Sequence, residues 1–319
     1  MSAAAVERPD WRDVIRREEL GPLLETNNWR GGLSIALNWG IVAASMAMVY
    51  VWPNPLTVIL ALALIGARQL GFAVMMHEAS HQALFANRAL NDWVGNWICA
   101  FPIWADLRPY RRYHLKHHAY NWTDKDPDLD LATKFPVTPQ SMRRKIWRDL
   151  SGQVGWKRAK ATLRRDVTGI GFFKTTREGT TDDAPVGWRN LQGVVISNLV
   201  LFALVSWLGH PALYLLWVGA WFTTNSLVTR IRAIAEHNMP VDPSHDFGNT
   251  RTTHASWLER LFIAPNRVNY HLEHHLLMTV PLYNLPKLHR LLRERGALEG
   301  AMLADGYLPV LRQASSKAA

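Results

Sequence analysis

Between residues 191 and 229 the chain carries no Asp, Glu, Lys or Arg. One straight helix of that length would be about 58 Å long, nearly twice the roughly 30 Å hydrocarbon core of a bilayer. The stretch must therefore fold back, and Gly209-His210-Pro211 supplies the turn. Residues 33–51 are likewise uncharged, and residues 56–76 are apolar except for Arg68 and Gln69, with Trp52-Pro53-Asn54-Pro55 separating the two blocks. The expected fold is an all-α integral membrane protein with four transmembrane helices, at about 33–51, 56–76, 191–208 and 212–231, in two hairpins with short outer loops.

Charge placement sets the expected orientation. Of 36 Lys and Arg, only Arg68 lies within residues 31–76 and 191–229. All the others fall on one side of the spans, which the positive-inside rule makes cytoplasmic. That side holds both termini and the long connection around 77–190. The net charge of +10 then reads as attraction to an anionic cytoplasmic leaflet rather than to nucleic acid. The polar first thirty residues lack the apolar core of a secretory signal, so the first span is expected to insert the chain. Several of the 15 tryptophans, including Trp29, Trp39, Trp52, Trp188, Trp217 and Trp221, suit interfacial anchoring.

Eight of the 13 histidines form three clusters beside these spans: His77-Glu-Ala-Ser-His81, His114-Leu-Lys-His117-His118 and His271-Leu-Glu-His274-His275. Residues three and four apart share a helix face, so each cluster aims its imidazoles one way. A lone histidine is more often structural than a ligand, but three clusters on one membrane face reverse that balance. Cys99 is the only cysteine, which excludes an intramolecular disulfide and a cysteine-based metal site. Eight imidazoles exceed what one tetrahedral zinc needs, and two metals with an open position each fit the count better. Imidazole suits zinc, copper, iron and nickel alike, so the ligand set leaves the element open. A cytoplasmic helical cap holding a histidine-rich dimetal site is the expectation. His237, just beyond the fourth span, is a ninth candidate ligand.

The remaining segments are read more coarsely. Residues 9–24 suit a short surface helix, and 91–103 form an apolar stretch too short to span, expected as an interfacial or re-entrant helix. Residues 124–139, with Asp124, Asp126, Asp128, Asp130 and three prolines, read as a loop. The basic segment 143–174 reads as a solvated face, 175–190 as a polar linker and 314–319 as a frayed end. The domain plan is a cytoplasmic N-terminal segment (1–32), a membrane domain (33–295) and a C-terminal tail (296–319). Arg68 stands out because an ionisable group inside a span is costly and often functional. It lies about 13 Å along a helix from His77, and with neighbouring Gln69 it is expected to be a buried polar or substrate-facing residue. His210, His245, His254 and His289 lack helical partners at ligand spacing and are left outside the metal shell.

The order, separation and surroundings of the clusters resemble the membrane-bound fatty acid desaturases and hydroxylases, with their HxxxH, HxxHH and distant HxxHH boxes. Arg112-Tyr-His114-Leu-Lys-His117-His118 followed by Asp126-Pro-Asp128 looks like the second box. Asn269-Tyr-His271-Leu-Glu-His274-His275, then Val280-Pro281 and Leu285-Pro-Lys-Leu-His289, looks like the third. The resemblance covers residues 33–295. It implies two iron ions, molecular oxygen as co-substrate, and His77, His81, His114, His117, His118, His237, His271, His274 and His275 as ligands. The implied reaction is desaturation of a fatty acyl or other lipid chain. Hydroxylation or ketolation of a lipid, carotenoid or other apolar molecule is the alternative on the same scaffold. A non-catalytic membrane metal-binding or transport protein would call for polar ligands within the spans, where only Arg68 and Gln69 stand out.

Ligating histidines usually donate their second N–H to a carboxylate or carbonyl, so Glu78, Asp124, Asp126, Asp128, Glu236 and Glu273 are outer-shell candidates. Family members place an asparagine four residues before the extra histidine to hold a metal-bound water; this chain has Ala233, leaving Asn266 and Asn269 as substitutes. The chain has no flavin or nicotinamide glycine fingerprint and no His-Pro-Gly-Gly segment. A separate ferredoxin, rubredoxin or cytochrome b5 is therefore the expected electron donor, with Arg143, Arg144, Lys145 and Arg148 as a docking face for an acidic partner.

Overall fold

The computed structural model describes residues 11–168 and 187–318. The expectations for 169–174 of the basic segment, 175–186 of the linker and the extreme termini lie outside the described residues. A short helix α1 (Arg17–Leu24) leads into a hairpin of two long helices, α2 (Asn28–Val51) and α3 (Pro55–Ser80). The hairpin turn is specified locally. Asn54 accepts hydrogen bonds from the amides of Leu56 and Thr57, and Pro55 occupies the first helical turn, where its missing N–H costs nothing.

Among the described residues three helical stretches are long and apolar enough to cross a membrane: Asn28–Val51, Pro55–Ser80 and Trp188–Trp207. They do different jobs. In the most apolar part of α3, 61% of the residues are buried, against 11% for Trp188–Trp207, so α3 is the central post and the latter presents its surface outward. At 26 residues, α3 is about 39 Å long and outruns a bilayer core. From Ile65 to Ser80 every residue except Ala73 is buried.

After α3 the chain turns back through α4 (Arg88–Val94), a π-helical turn at Gly95–Ala100 and a 3-10 turn at Phe101–Ile103. This is the short apolar segment, and it packs on α3. At Gly95 a Cβ would stand 2.6 Å from the Ala79 Cβ, so the close approach requires glycine. Helix α5 (Leu107–Tyr120) follows, capped by Asp106, then the basic helices α6 (Pro139–Leu150) and α7 (Gln153–Thr168), and the outward-facing α8 (Gln192–Trp207).

The expected fourth span is not one helix. It is divided at Thr223 (φ −114°, ψ −90°) into α9 (Tyr214–Phe222) and α10 (Thr224–His237). Four polar residues in a row, Thr223 to Ser226, supply the reason. Thr223 and Ser226 hydroxyls donate back to the carbonyls of Gly219 and Phe222, a pattern that bends helices. Thr224 donates instead to the Leu62 carbonyl and Asn225 to that of Gly66, locking the break onto α3. Arg158 of α7 completes it, donating to the Trp221 carbonyl and to Asn225. One member of the basic segment is thus built into the fold rather than solvated.

The last third wraps this post. Two short strands, β1 (Arg251–Thr253) and β2 (Met302–Ala304), pair in parallel with Arg251 opposite Met302, so the fold is not purely helical. Helices α11 (His271–Leu276), α12 (Leu285–Glu294) and α13 (Tyr307–Ala314) complete it. The described part of the expected frayed end, residues 314–318, is tied down instead. Strand β2 and α13 hold it, the Val137 amide donates to the Ala314 carbonyl, and the Lys317 amide donates to the Val137 carbonyl.

Candidate metal centre

Four helices present histidines in their last turns. His77 lies near the end of α3 and His81 is its C-cap; His117 and His118 lie in the last turn of α5, His237 ends α10, and His274 and His275 lie in the last turn of α11. Helix C-termini carry partial negative charge, which favours a bound cation. The centre is thus assembled from convergent helix ends around α3.

All nine candidate histidines come together, in two adjacent groups. His77, His81, His114, His118 and His274 have nitrogens within 4.8 Å of one another, and so do His117, His237 and His275. His271 joins the second group, its Nε2 lying 2.8 Å from Nε2 of His237. Within the groups, Nε2 of His118 is 2.9 Å from that of His114 and 3.0 Å from that of His274, and Nε2 of His117 is 3.2 Å from that of His237. The rings of His118 and His275, 4.3 Å apart, bridge the groups.

The neighbouring pairs explain why two groups form. Successive helical residues point about 100° apart, so His117 and His118 diverge into different groups, and His274 and His275 do the same in reverse. Burial keeps these rings neutral. It pushes His114, His237, His271, His274 and His275 well below the usual imidazole range, with neighbouring imidazoles adding to the effect. His81 is lowered by burial to about 4. His117 is the exception: burial opposes its charged form, but the hydrogen bond it donates to Asp126 and the charge of Asp128 outweigh burial and raise it.

The outer-shell candidates separate cleanly. Asp126 Oδ1 lies 2.8 Å from Nδ1 of His117, and Asp128 Oδ2 lies 3.8 Å from the same nitrogen. Glu236 Oε1 is 3.6 Å from Nδ1 of His271 and accepts from Arg232 at 2.5 Å. Glu273 turns the other way, held by Thr252 and by His289 at 2.6 Å. Glu78 accepts from the Leu282 amide, and Asp124 is exposed. Asn266 bonds Asn38 and the Gly71 carbonyl, and the Asn269 amide donates to the Thr253 carbonyl while its Oδ1 is buried without a hydrogen-bond partner. Gln69 donates to the Trp217 carbonyl and so ties α3 to α9.

Sequence spacing missed His289, whose partner is a buried glutamate sixteen residues away rather than a helical neighbour. It also missed Tyr110, whose ring stacks on His114 at 5.3 Å. The Tyr110 spacing, four residues before His114, was the available signal. His210 packs on Tyr50 and, like His245, His254 and His289, lies outside both groups.

The donor set fits metal ions. Both nitrogens of His77, Nε2 of His81, Nδ1 of His274 and Nε2 of His275 are buried without a hydrogen-bond partner, whereas buried polar atoms in native proteins are nearly always paired. Nitrogen separations near 3 Å are those of adjacent ligands at metal–nitrogen distances of about 2.0–2.1 Å.

Residues 50–305 match the fatty acid desaturase family. The dihydrorhizobitoxine desaturase of Bradyrhizobium elkanii is 28% identical over 289 residues, which covers 84% of this chain and 76% of that protein. The chloroplastic omega-6 fatty acid desaturase of Arabidopsis thaliana is 26% identical over 260 residues, 74% of this chain and 53% of that protein. The sn-1 oleoyl-lipid 12-desaturase of Anabaena variabilis is 26% identical over 240 residues, 69% and 64%. The chain spans about half the length of the plant relative. With apolar helices long enough to cross a membrane and a histidine-rich centre at the end of one of them, α3, the chain belongs to the fatty acid desaturase family.

Proposed function

We propose that the protein is an oxygen-dependent desaturase that introduces a double bond into a fatty acyl or other lipid chain, using two iron ions held by the nine histidines. The observation that carries this reading is the pair of adjacent groups of largely buried imidazoles, one beside the other at the end of the apolar helix α3. Bound there, the irons would supply the oxidation of an unactivated C–H bond. In balance, –CH2–CH2– with O2, two electrons and two protons gives –CH=CH– and two waters. The three relatives named above are all desaturases by name, which favours an alkene over an alcohol or ketone product.

The chain's own residues bind and orient. Asp126 fixes which nitrogen of His117 is free to face a metal and raises its basicity. Glu236, paired with Arg232, stands 3.6 Å from His271 for the same purpose. Burial of the imidazoles excludes water from a centre that must oxidise an apolar substrate. Because the long apolar helix α3 leads into the centre, a substrate chain can enter from the bilayer.

Electrons come from a separate ferredoxin, rubredoxin or cytochrome b5 type donor. On α6, Arg143, Arg144 and Arg148 are exposed, with Lys145 over the Phe135 ring, and this face suits an acidic donor. Both termini and the centre are assigned to the cytoplasmic side, with residues 33–295 as the membrane domain. Expression with a suitable reductase, followed by mass spectrometry of total lipids and apolar metabolites, tests the reading with His117→Ala as control. A product lighter by two hydrogens and two irons per chain are expected. A gain of one oxygen would make it a hydroxylase, and full activity with zinc alone would sink the di-iron assignment.

A further inference from the structure

A cavity of about 320 Å³ opens between α2, α3 and the segment 260–283, on the side of α3 where Arg68 lies. Its lining includes Arg68, Arg260 and Arg267 and no acidic residue, with Leu37, Ile41 and Leu282 as apolar walls. Arg68 is only 5% exposed. One end of its guanidinium is pinned by the Leu261 and Arg260 carbonyls at 2.5 and 3.4 Å, while its Nε is buried without a partner. Among the described residues no carboxylate pairs with it. A buried charge without a counter-charge is costly, and here it borders a space that could admit one.

The far rim is built at a conformational cost. Asn266 and Arg267 are consecutive non-glycine residues in the left-handed region, with φ of 54° and 63°, a conformation that persists only when its surroundings enforce it. Asn266 supplies that enforcement through the Gly71 carbonyl and Asn38. The result sets Arg267 on the cavity rim.

We propose that this cavity binds the anionic head, a carboxylate or a phosphate, of an amphipathic substrate, with Arg68 as the deep contact and Arg260 and Arg267 at the rim. The assignment rests on the desaturase reading above and narrows its substrate class to acid-headed chains. The volume, at the low end for ligand sites of about 300–1,000 Å³, suits a head and the first carbons rather than a whole lipid. Leu37 is 57% exposed on α2, so the opening lies along an apolar helix surface. The opposite wall leads toward the metal centre: Leu282 lines the cavity, and its amide bonds Glu78, the residue after His77. Arg68 and His77 are about 13 Å apart along α3, so the reacting bond lies well down the chain from the head.

The test is calorimetric binding to the full chain in nanodiscs of zwitterionic lipid, with dodecanoate, dodecyl phosphate and dodecanol as probes and acetate and inorganic phosphate as chain-free controls. The two acid-headed probes should bind about tenfold or more tighter than dodecanol, the order of one charge-assisted hydrogen bond. Arg68→Gln should abolish that preference while leaving dodecanol binding unchanged. Since Arg68 also pins two carbonyls, the exposed pair Arg260→Glu and Arg267→Glu provides a second arm that spares the interior, and it should weaken the acid-headed probes severalfold. Equal binding of acid and alcohol, a preference untouched by all three substitutions, or competition by acetate or inorganic phosphate as strong as by the chain-bearing probes would overturn the proposal. Binding needs no turnover, so failure here with desaturated product still formed is distinct from failure of the desaturase reading itself.

Discussion

Behind the group of His117, His237, His271 and His275 stand oxygens. Asp126 holds His117, Glu236 faces His271, and the Asn249 carbonyl lies 3.4 Å from Nδ1 of His237. Behind His77, His81, His114, His118 and His274 stand mainly other rings, with Tyr110 stacked on His114. Among the described residues no carboxylate bonds any of these five. One group thus has fewer imidazoles, oriented from outside, and the other has more imidazoles held by packing. An outer-shell acceptor fixes tautomer and ring orientation and strengthens the ligand, so fewer ligands suffice where such acceptors exist.

Removing one ring from each group should expose that difference most strongly. Both His275→Ala and His118→Ala are expected to abolish product. His275→Ala should also lose one of the two metals, because only three imidazoles remain in its group, whereas His118→Ala leaves four and should retain both at reduced affinity. Metal analysis after dialysis decides it, and identical losses would mean that the groups do not act as separate sites.

Asp126→Asn is the next largest change. It should weaken metal binding by about 10–100-fold, measured by competition with a chelator, and Asp124→Asn, at an exposed position, should not. A third test uses acid. In metal-stripped protein, seven histidines of the centre have imidazoles depressed by burial and one, His117, raised. As pH falls below the ordinary value of 6.5, the unfolded chain takes up protons that the folded chain refuses, so stability drops. His117 works the other way, contributing below that value and losing its contribution as pH rises through its raised one. Seven outweigh one, so the stripped protein should lose stability steeply below pH 6.5 in denaturant titrations. A flat profile would show that the rings are not dry.

The smallest effect should spare the contrast between the groups. His289→Ala removes a partner from Glu273, a buried residue of α11, the helix that feeds both groups through His274 and His275. A destabilisation of about 1–3 kcal/mol is expected, with metal affinity lowered equally at both sites. A selective loss at one site would show that α11 does not move as a unit.

Much of this centre was legible from spacing alone. The three boxes needed only helical periodicity, and the first hairpin needed only two uncharged blocks and a proline-rich break. Other features were hidden for physical reasons. The break at Thr223 turns on hydroxyls that choose carbonyls on α3, a choice that apolarity along the chain does not encode. Arg68 reads as a charge within a span, yet the carbonyls of residues 260 and 261 meet it there. Of the six candidate carboxylates only Asp126, Asp128 and Glu236 face the nine histidines, because which side of a loop or helix turns inward depends on what packs against it.

From the sequence alone came the number and type of donors, their grouping in threes and twos, and the divergence built into each adjacent histidine pair, since about 100° per residue is a property of the helix itself. Tertiary structure decided which rings share a site. His118 meets His274, and His117 meets His237, only because four helices end at one place. Imidazole nitrogens reach each other over distances of a few ångströms, and no local rule brings residues 120 or 156 positions apart within that range.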